Sequence, residues 1–332
     1  MVKSIIDDVA RTAGVSIKTV SRVMNKEPNV REATRQKVLQ AATQLDYRPS
    51  LSARGLAGSR TYLLALVYDS ATPNYLVDLQ EGILSQCSAN SYGLVLLPVD
   101  AGSTNLASVI DRLMEHSRVD GFILTPPVCD QPHLVKHLKK AKLPFISIGP
   151  FDIEQGFSIT IDDRAAAQEM TNYLISLGHT KIGFIKGHPT HGAGGRRLDG
   201  YKAALKAANI PFDKALVAPG LFTFESGLKA AKKLLTLVKP PTAIFAANDD
   251  MAAAVLQHAH LMGFQVPADL CVAGFDDTTL SHQVWPPLTT IRQPIRQMGE
   301  QATQNLLSAI RSEDVAQNHE LPFELIARSS SG

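Results

Sequence analysis

The chain has 332 residues, 45% of them hydrophobic and 19% charged, enough for two or three domains with sizeable cores and with no tract biased toward disorder. Its longest apolar runs, such as "LLALV" at 63–67, are strand-sized, and Asp7, Asp8 and Arg11 interrupt the stretch where an export signal would need an apolar core. A net charge of only +2 excludes a uniformly basic or acidic protein, and Cys87, Cys129 and Cys271 are scattered, odd in number and free of CxxC spacing, which argues against disulfides and zinc and for a reducing cytoplasm.

The small net charge is unevenly placed. Residues 1–60 hold eleven Lys/Arg against five Asp/Glu, a balance of +6, and the remainder carries 22 against 26, a balance of −4. A basic head on a mildly acidic body points to a polyanionic partner for the head alone.

In that head, Ile5, Ile6, Val9, Ala10 and Ala13 fall at helical spacing. "AGVS" then makes a turn in which Gly14 tolerates a positive φ, and Ser16 is placed to cap a second helix ending near Met24. A third helical pattern begins near Val30, with Ala33, Val38, Ala41, Ala42 and Leu45 as its apolar stripe. Three small helices of this kind make a helix-turn-helix unit whose second helix is the reader. Its outer face carries Ile17, Lys18, Thr19 and Arg22. Lys and Arg donate to guanine O6 and N7, and Ile17 suits a thymine methyl. Ser16, Thr19, Ser21 and the helix N-terminus suit phosphate. The bland alternative is a solvated charged face on a structural helix pair.

Between 46 and 60, "DYRPSLSARGLAGSRT" is too polar for a core helix, yet Ser50–Ala57 allows two weak turns. Gly55 lowers helix propensity there by roughly 1 kcal/mol relative to alanine. A helix this short folds mainly when something holds it, and a minor groove entered by paired Leu56 side chains would do so; a linker with no DNA role is the competing reading.

From residue 61 short apolar strands alternate with helical stretches. Strands are predicted at 62–68, 93–98, 120–125, 144–149 and 158–161, and again at 182–186, 215–218, 242–246, 270–275 and 288–291. Helical patterns fall at 76–90, 104–116, 163–177, 196–208, 225–237 and 250–262. Such alternation implies parallel sheets covered by helices, and two series joined near 160 imply two α/β subdomains facing a cleft. Ligands favour the carboxyl ends of strands and the seams between domains. Asp69, Asn74 and Tyr75 follow the first strand, Thr125 the third, and Asp152 lies beyond the fourth. In the second series Arg196 and Arg197 follow "GHPTHGAGG", Phe222 follows a strand, Asn248 closes "AIFAAND" and Asp276 closes "VAGFDD". Phe222 and Tyr75 could cover the flat face of a sugar or aromatic base, while Asp, Asn and an arginine fork bind hydroxyls or a carboxylate. Each has an ordinary alternative: Asp249 and Asp163 as helix caps, Arg196 in a surface ion pair.

Markers of catalysis are missing. "GHPTHGAGG" lacks the Lys-Ser/Thr of a phosphate loop, and no GxGxxG follows the first strand. His179, His188 and His191 share no helix turn, and nothing marks a nucleophile. No enzymatic activity, cofactor or metal is expected.

The ordered blocks "DVARTAGVSIKTVSRVMN", "ATRQKVLQAATQLDYRPS", "SARGLAGSRT", "LISLGHTKIGFI", "RRLDGYKAAL", "PTAIFAANDDMAAAVL", "GFQVPADLCVAGFDDT" and "PPLTTIRQPIRQMGEQA" resemble the lactose-repressor/purine-repressor family of bacterial transcriptional regulators. The resemblance implies a helix-turn-helix domain at 1–49 and a hinge helix with linker at 50–60. It implies a core like the periplasmic sugar-binding proteins, crossed three times by the chain, with 61–160 plus 292–318 in one subdomain and 161–291 plus 319–332 in the other. Ile17, Lys18 and Arg22 match base-reading positions, Leu56 the wedging leucine and Arg197 the effector-binding arginine; Asn25 and Arg54, inside the matching blocks, count among the DNA-binding residues. Tyr75, Asn74, Phe222, Asn248 and Asp276 fall at pocket positions.

Departures from the family are a "TPNY" loop, "DDRAAA" for a common "DN…G", and Gly55 where serine is frequent, which implies a hinge that relies more on DNA for its order. The implied molecule is a cytoplasmic, nucleoid-associated homodimer that represses carbohydrate-utilisation genes from a palindromic operator and is released by a small sugar or glycoside. A nucleobase-like corepressor is the alternative, and a sugar-binding protein with no DNA role a further one. No leucine heptads follow residue 320, so a dimer is expected over a tetramer.

Overall fold

The computed structural model describes residues 4–24, 30–47, 60–69, 73–153, 156–314 and 317–332. The head comprises α1 (Ile6–Ala13), α2 (Ile17–Met24) and α3 (Glu32–Gln44). Val9, Ala10, Val20, Val23, Val38, Ala41 and Ala42 form its own small core, which Tyr47 completes. Gly14 ends α1 at φ +64°, and the Val15 N–H donates to the Ala10 carbonyl at 3.0 Å. This tight reversal sets α2 against α1. The hinge expected at 50–60, with Arg54 and Leu56, lies outside the described residues apart from Arg60, as does Asn25.

The body begins with β1 (Leu63–Tyr68), α4 (Pro73–Ala89), β2 (Gly93–Pro98), α5 (Leu106–Ser117), β3 (Gly121–Leu124), α6 (Pro132–Lys140), β4 (Phe145–Ile148) and β5 (Phe157–Thr160). There follow α7 (Asp163–Ser176), β6 (Ile182–Ile185), α8 (Gly192–Ala207), β7 (Val217–Ala218), α9 (Phe224–Leu235), β8 (Ala243–Ala246), α10 (Asp249–Leu261), β9 (Cys271–Asp276), α11 (Thr279–Gln283) and β10 (Thr289–Arg292). The chain closes with α12 (Ile295–Ile310), β11 (Asn318–Glu320) and β12 (Glu324–Ile326). The strands form two six-stranded sheets, ordered β11-β5-β4-β3-β1-β2 and β12-β10-β9-β8-β6-β7. Among the described residues all pairings are parallel except β10 with β12. Strands such as β3, β6 and β8 are buried at every position, as parallel strands sandwiched by helices must be.

The chain passes between the lobes three times, at 161–162, 292–294 and 321–323. The last passage falls later than the boundary expected at 318. Glu320 still pairs with Thr160, and Leu321, itself buried, donates its N–H to the Thr160 carbonyl at 2.8 Å. The strand expected at 215–218 shrinks to two residues because Lys214–Leu216 forms a 3₁₀ turn. Three body helices lie outside the predicted set, the short α11 and the amphipathic α6 and α12: Leu134, Val135 and Leu138 bury one face of α6, and Met298, Ala302 and Leu306 one face of α12. Among the described residues no helix is long and apolar enough to cross a membrane.

Candidate functional site

Two surfaces are candidates for function: the outer face of α2 and the cleft between the lobes. In α2, Val20 and Val23 point into the head core, which leaves 17, 18, 21 and 22 on the opposite side. Ile17 is 48% exposed, Lys18 is exposed, and Ser21 and Arg22 are half-buried. An apolar side chain so exposed at the first turn of a basic helix has no role in the head's own packing. Ser16 caps the helix: its Oγ accepts from the Thr19 N–H at 3.2 Å and lies 2.9 Å from Thr19 Oγ1. These two hydroxyls thus first order the N-terminal turn that presents Ile17 and Lys18.

The cleft has about 690 Å³ of empty space, its open mouth included. Asp69, at the end of β1, and Thr125 and Pro126, after β3, line the first-lobe side together with Tyr75 and Leu76 from α4. His191 and Arg197 from α8, Phe222 after β7 and Asp276 at the end of β9 line the second-lobe side. Asp163 starts α7 at the first passage, and Gln293 and Met298 lie on and after the second passage.

Its electrostatic centre is Arg197, 4% exposed. The Arg197 Nε donates to Asp163 Oδ1 at 2.9 Å, Nη1 donates to the Ala247 carbonyl, and the guanidinium lies 3.5 Å from the centroid of the Phe275 ring. Asp276 Oδ1 is 3.7 Å from Arg197 Nη1 and accepts from Gln293 Nε2 at 2.6 Å. Burial pushes the Asp276 carboxyl up to about 7, with Arg197 and Gln293 pulling the other way. Burial and the nearby Asp276 also raise the Tyr75 phenol, which stays protonated. Burial, then His188 and Arg197, lower His191 to about 4, so its imidazole is neutral at neutral pH.

Two cleft residues hold unusual backbone: Phe222 at φ +62° and Asp276 at φ +117°. Side-chain-bearing residues in this region are strained and need fixing from outside. Asn248 Nδ2 donates to the Phe222 carbonyl at 2.9 Å, and the Gln293 N–H donates to the Asp276 carbonyl at 3.2 Å. Gly187 is required beneath the ring, since a Cβ there would sit 2.0 Å from Phe222 Cζ. The His191 ring packs against Phe222, with 5.1 Å between the ring centroids.

Of the ten residues expected around a ligand, the structure brings Asp69, Tyr75, Thr125, Arg197, Phe222 and Asp276 to the cleft wall. The other four lie elsewhere. Asn248 caps α10, its Oδ1 accepting from the Met251 N–H at 3.1 Å, and acts on the cleft only through Phe222. Asn74 reaches across the lobes to Asp250 at 3.4 Å. Arg196 donates to Asp163 Oδ2 at 3.0 and 3.1 Å and to the Pro150 carbonyl at 3.1 Å, a clasp between lobes. Asp152 lines a separate surface depression with Asp130, Phe151 and Thr190. Sequence reasoning missed His191, Gln293 and Met298 and treated Asp163 as a cap. The signals were there: a histidine just before α8, and a glutamine immediately after a strand end. Among the described residues no group of three His, Cys, Asp or Glu is placed to hold a metal.

The architecture is matched by known proteins along its whole length. Residues 5–50 match the model for bacterial regulatory proteins of the lacI family, and 171–331 that for a periplasmic binding protein-like domain. The ribose operon repressor of Escherichia coli (strain K12) is 36% identical over 307 residues, covering 91% of this chain and 92% of that protein. The chain belongs to the lacI family of bacterial transcriptional regulators. Among solved structures, the lac repressor dimer bound to operator and the anti-inducer ONPF superposes with a TM-score of 0.83, at 29% identity and 99% coverage of both chains. The complex of the transcriptional regulator CelR with cellobiose gives 0.75 at 31% identity, covering 99% of this lacI-family chain and 100% of that one. Helix α2 thus lies within the lacI-family domain at 5–50, and the body carries the fold of a periplasmic binding protein-like domain.

Proposed function

We propose that this regulator is a repressor of carbohydrate-utilisation genes that grips a near-palindromic operator as a homodimer in the cytoplasm, with no enzymatic step, and lets go when an uncharged sugar or glycoside fills the cleft. One observation carries the reading: the single buried guanidinium in the cleft, Arg197, is already flanked by the carboxylates of Asp163 and Asp276, with Asp69 a third carboxylate on the wall. A phosphate or carboxylate entering there would find the Arg197 charge already shared with Asp163 and Asp276, whereas sugar hydroxyls donate to carboxylates and accept from the guanidinium. Phe222, Tyr75 and His191 supply flat apolar faces for a ring. The ribose operon repressor and the cellobiose complex of CelR, each over 30% identical to this chain, support the same ligand class.

Ile17, Lys18 and Arg22 read base edges, Ser16, Thr19 and Ser21 meet phosphate, and Asn25, Arg54 and Leu56 act with them. The response is a population shift: the ligand favours one lobe arrangement only by binding it more tightly than the other. The ties that rearrange are those crossing between lobes, Arg196 to Pro150 and Asn74 to Asp250.

The experiment is a thermal-shift screen of neutral sugars, sugar phosphates and purines, followed by gel shifts of operator DNA with each hit. A neutral sugar is expected to raise the melting temperature and weaken operator binding. A purine that strengthens operator binding would replace the inducer with a corepressor. If the compounds that bind all leave operator affinity unchanged, the reading fails.

A further inference from the structure

A second concavity lies behind the cleft on the outer edge of the second lobe, lined by Lys186, Leu198, Lys202, Phe212, Lys214, Val217 and Pro219. Residues 181–240 carry eleven Lys/Arg against three Asp/Glu, a balance of +8 in a chain whose total is +2. This concentration lies far along the sequence from the DNA-reading head. Three of its lysines converge from different elements: Lys186 from the end of β6, Lys202 from α8 and Lys214 from the turn before β7. Only Lys202 has a carboxylate partner among the described residues, Asp199 at 3.7 Å, on exposed side chains where such a pair is weak. Phe212, 41% exposed, stands beside them with Lys202 Nζ 5.5 Å from its ring centroid. Leu198, Val217 and Pro219 make an apolar floor.

We propose that this concavity is a binding site for a phosphorylated small molecule that carries a flat or apolar ring, distinct from the ligand of the cleft. Ammonium groups are compact point charges that serve a phosphate dianion well, and the floor with Phe212 covers the ring. The charge preference is opposite to that of the cleft, so the two sites select different compounds. They are also adjacent. Lys186 precedes Gly187, whose missing side chain admits the Phe222 ring, and a Cβ on Gly220 would lie 2.3 Å from the Lys186 carbonyl oxygen. Lys186 and Pro219 of the concavity thus lie in the same two loops, after β6 and after β7, that hold Gly187 and Phe222.

The simpler role for these lysines is to guard the open edge of β7 against pairing with another strand. Calorimetry on the full chain separates the two, with phenyl phosphate and inorganic phosphate as probes. Phenyl phosphate is expected to bind saturably, more tightly than inorganic phosphate, and to weaken as salt is raised. K186M/K214M should lose about tenfold or more in affinity, equivalent to ~1.4 kcal/mol. Phe212→Ala, a milder change, should weaken phenyl phosphate while sparing inorganic phosphate. Absence of saturable binding overturns the proposal, and so does wild-type affinity in K186M/K214M, which would place the anion on the basic head. A wild-type protein that ignores phosphate, with a K186M/K214M variant that self-associates in light scattering, would leave edge protection as the role.

Discussion

The first lobe faces the cleft with Tyr75, Leu76, Thr125, Pro126 and one charge, Asp69, whereas the second brings Arg197, Phe222, His191 and Asp276 and shares Asp163 with the first passage. The difference lies in what holds each wall. Second-lobe side chains are locked by one another: Asp163 grips two arginines, Phe275 backs Arg197, and Asn248 and Gly187 fix Phe222. First-lobe groups have lighter ties, such as Asp69 Oδ2 accepting from the Ala101 N–H at 3.2 Å and Thr125 Oγ1 donating to the Val67 carbonyl at 3.4 Å. A preorganised wall binds a ligand with little ordering loss, so in the proposed function the second lobe serves as the anchor and the first lobe as the cover.

Removing the anchor has the largest expected effect. Arg197→Ala leaves the buried Asp276 without its guanidinium and Asp163 with Arg196 alone, and breaking a buried pair destabilises by roughly 3–5 kcal/mol. Urea unfolding should report that loss, calorimetry should find no ligand binding, and operator binding without ligand should survive. Unchanged ligand affinity would remove Arg197 from the site.

Asp276→Asn tests the anchor's electrostatics. The folded carboxyl titrates near 7 and the unfolded one near ~3.9, so between those values the native state holds a proton that the unfolded chain has released. The stability this group contributes is complete below about pH 4 and is lost as pH climbs toward 7. The asparagine lacks that slope, so the variant should gain on the wild type steadily across this window in denaturant titrations at each pH. A difference independent of pH would refute the assignment.

Next comes Phe222→Ala, expected to lower ligand affinity about tenfold, ~1.4 kcal/mol, by isothermal titration. The smallest change is on the cover: Tyr75→Phe keeps the ring and removes one hydroxyl, for a shift of about fivefold or less, since one hydrogen bond contributes about 1 kcal/mol net. Should Tyr75→Phe weaken binding more than Phe222→Ala, the roles of the two lobes are reversed.

Much of this was legible because strand ends announce themselves. Asp69, Thr125 and Asp276 end or follow apolar runs, and a parallel sheet delivers such positions to one edge. What failed was direction. Arg196 and Arg197 are neighbours in sequence, but a helix turns about 100° per residue, so one lines the cleft and the other clasps the opposite lobe. Asn248 follows a strand too, yet as a cap its amide bends back to its own helix. Asp152 is four residues past β4, where the loop has already turned outward. Gln293 was missed because it lies on a passage between lobes, whose route no periodicity encodes, and Met298 because it lies on α12, the helix that the passage leads into. In the head, spacing alone separated the buried Val20 and Val23 from the exposed side that bears Ile17 and Lys18, and that separation holds in the structure.

The Arg196 clasp has an evolutionary consequence. Its acceptors in the first lobe are the main-chain oxygens of Gly149 and Pro150, which every amino acid possesses. The surrounding loop is thereby free to diversify and retune ligand choice without loosening the hold between lobes, while Asp163, the one side chain gripping both arginines, has no such licence to drift.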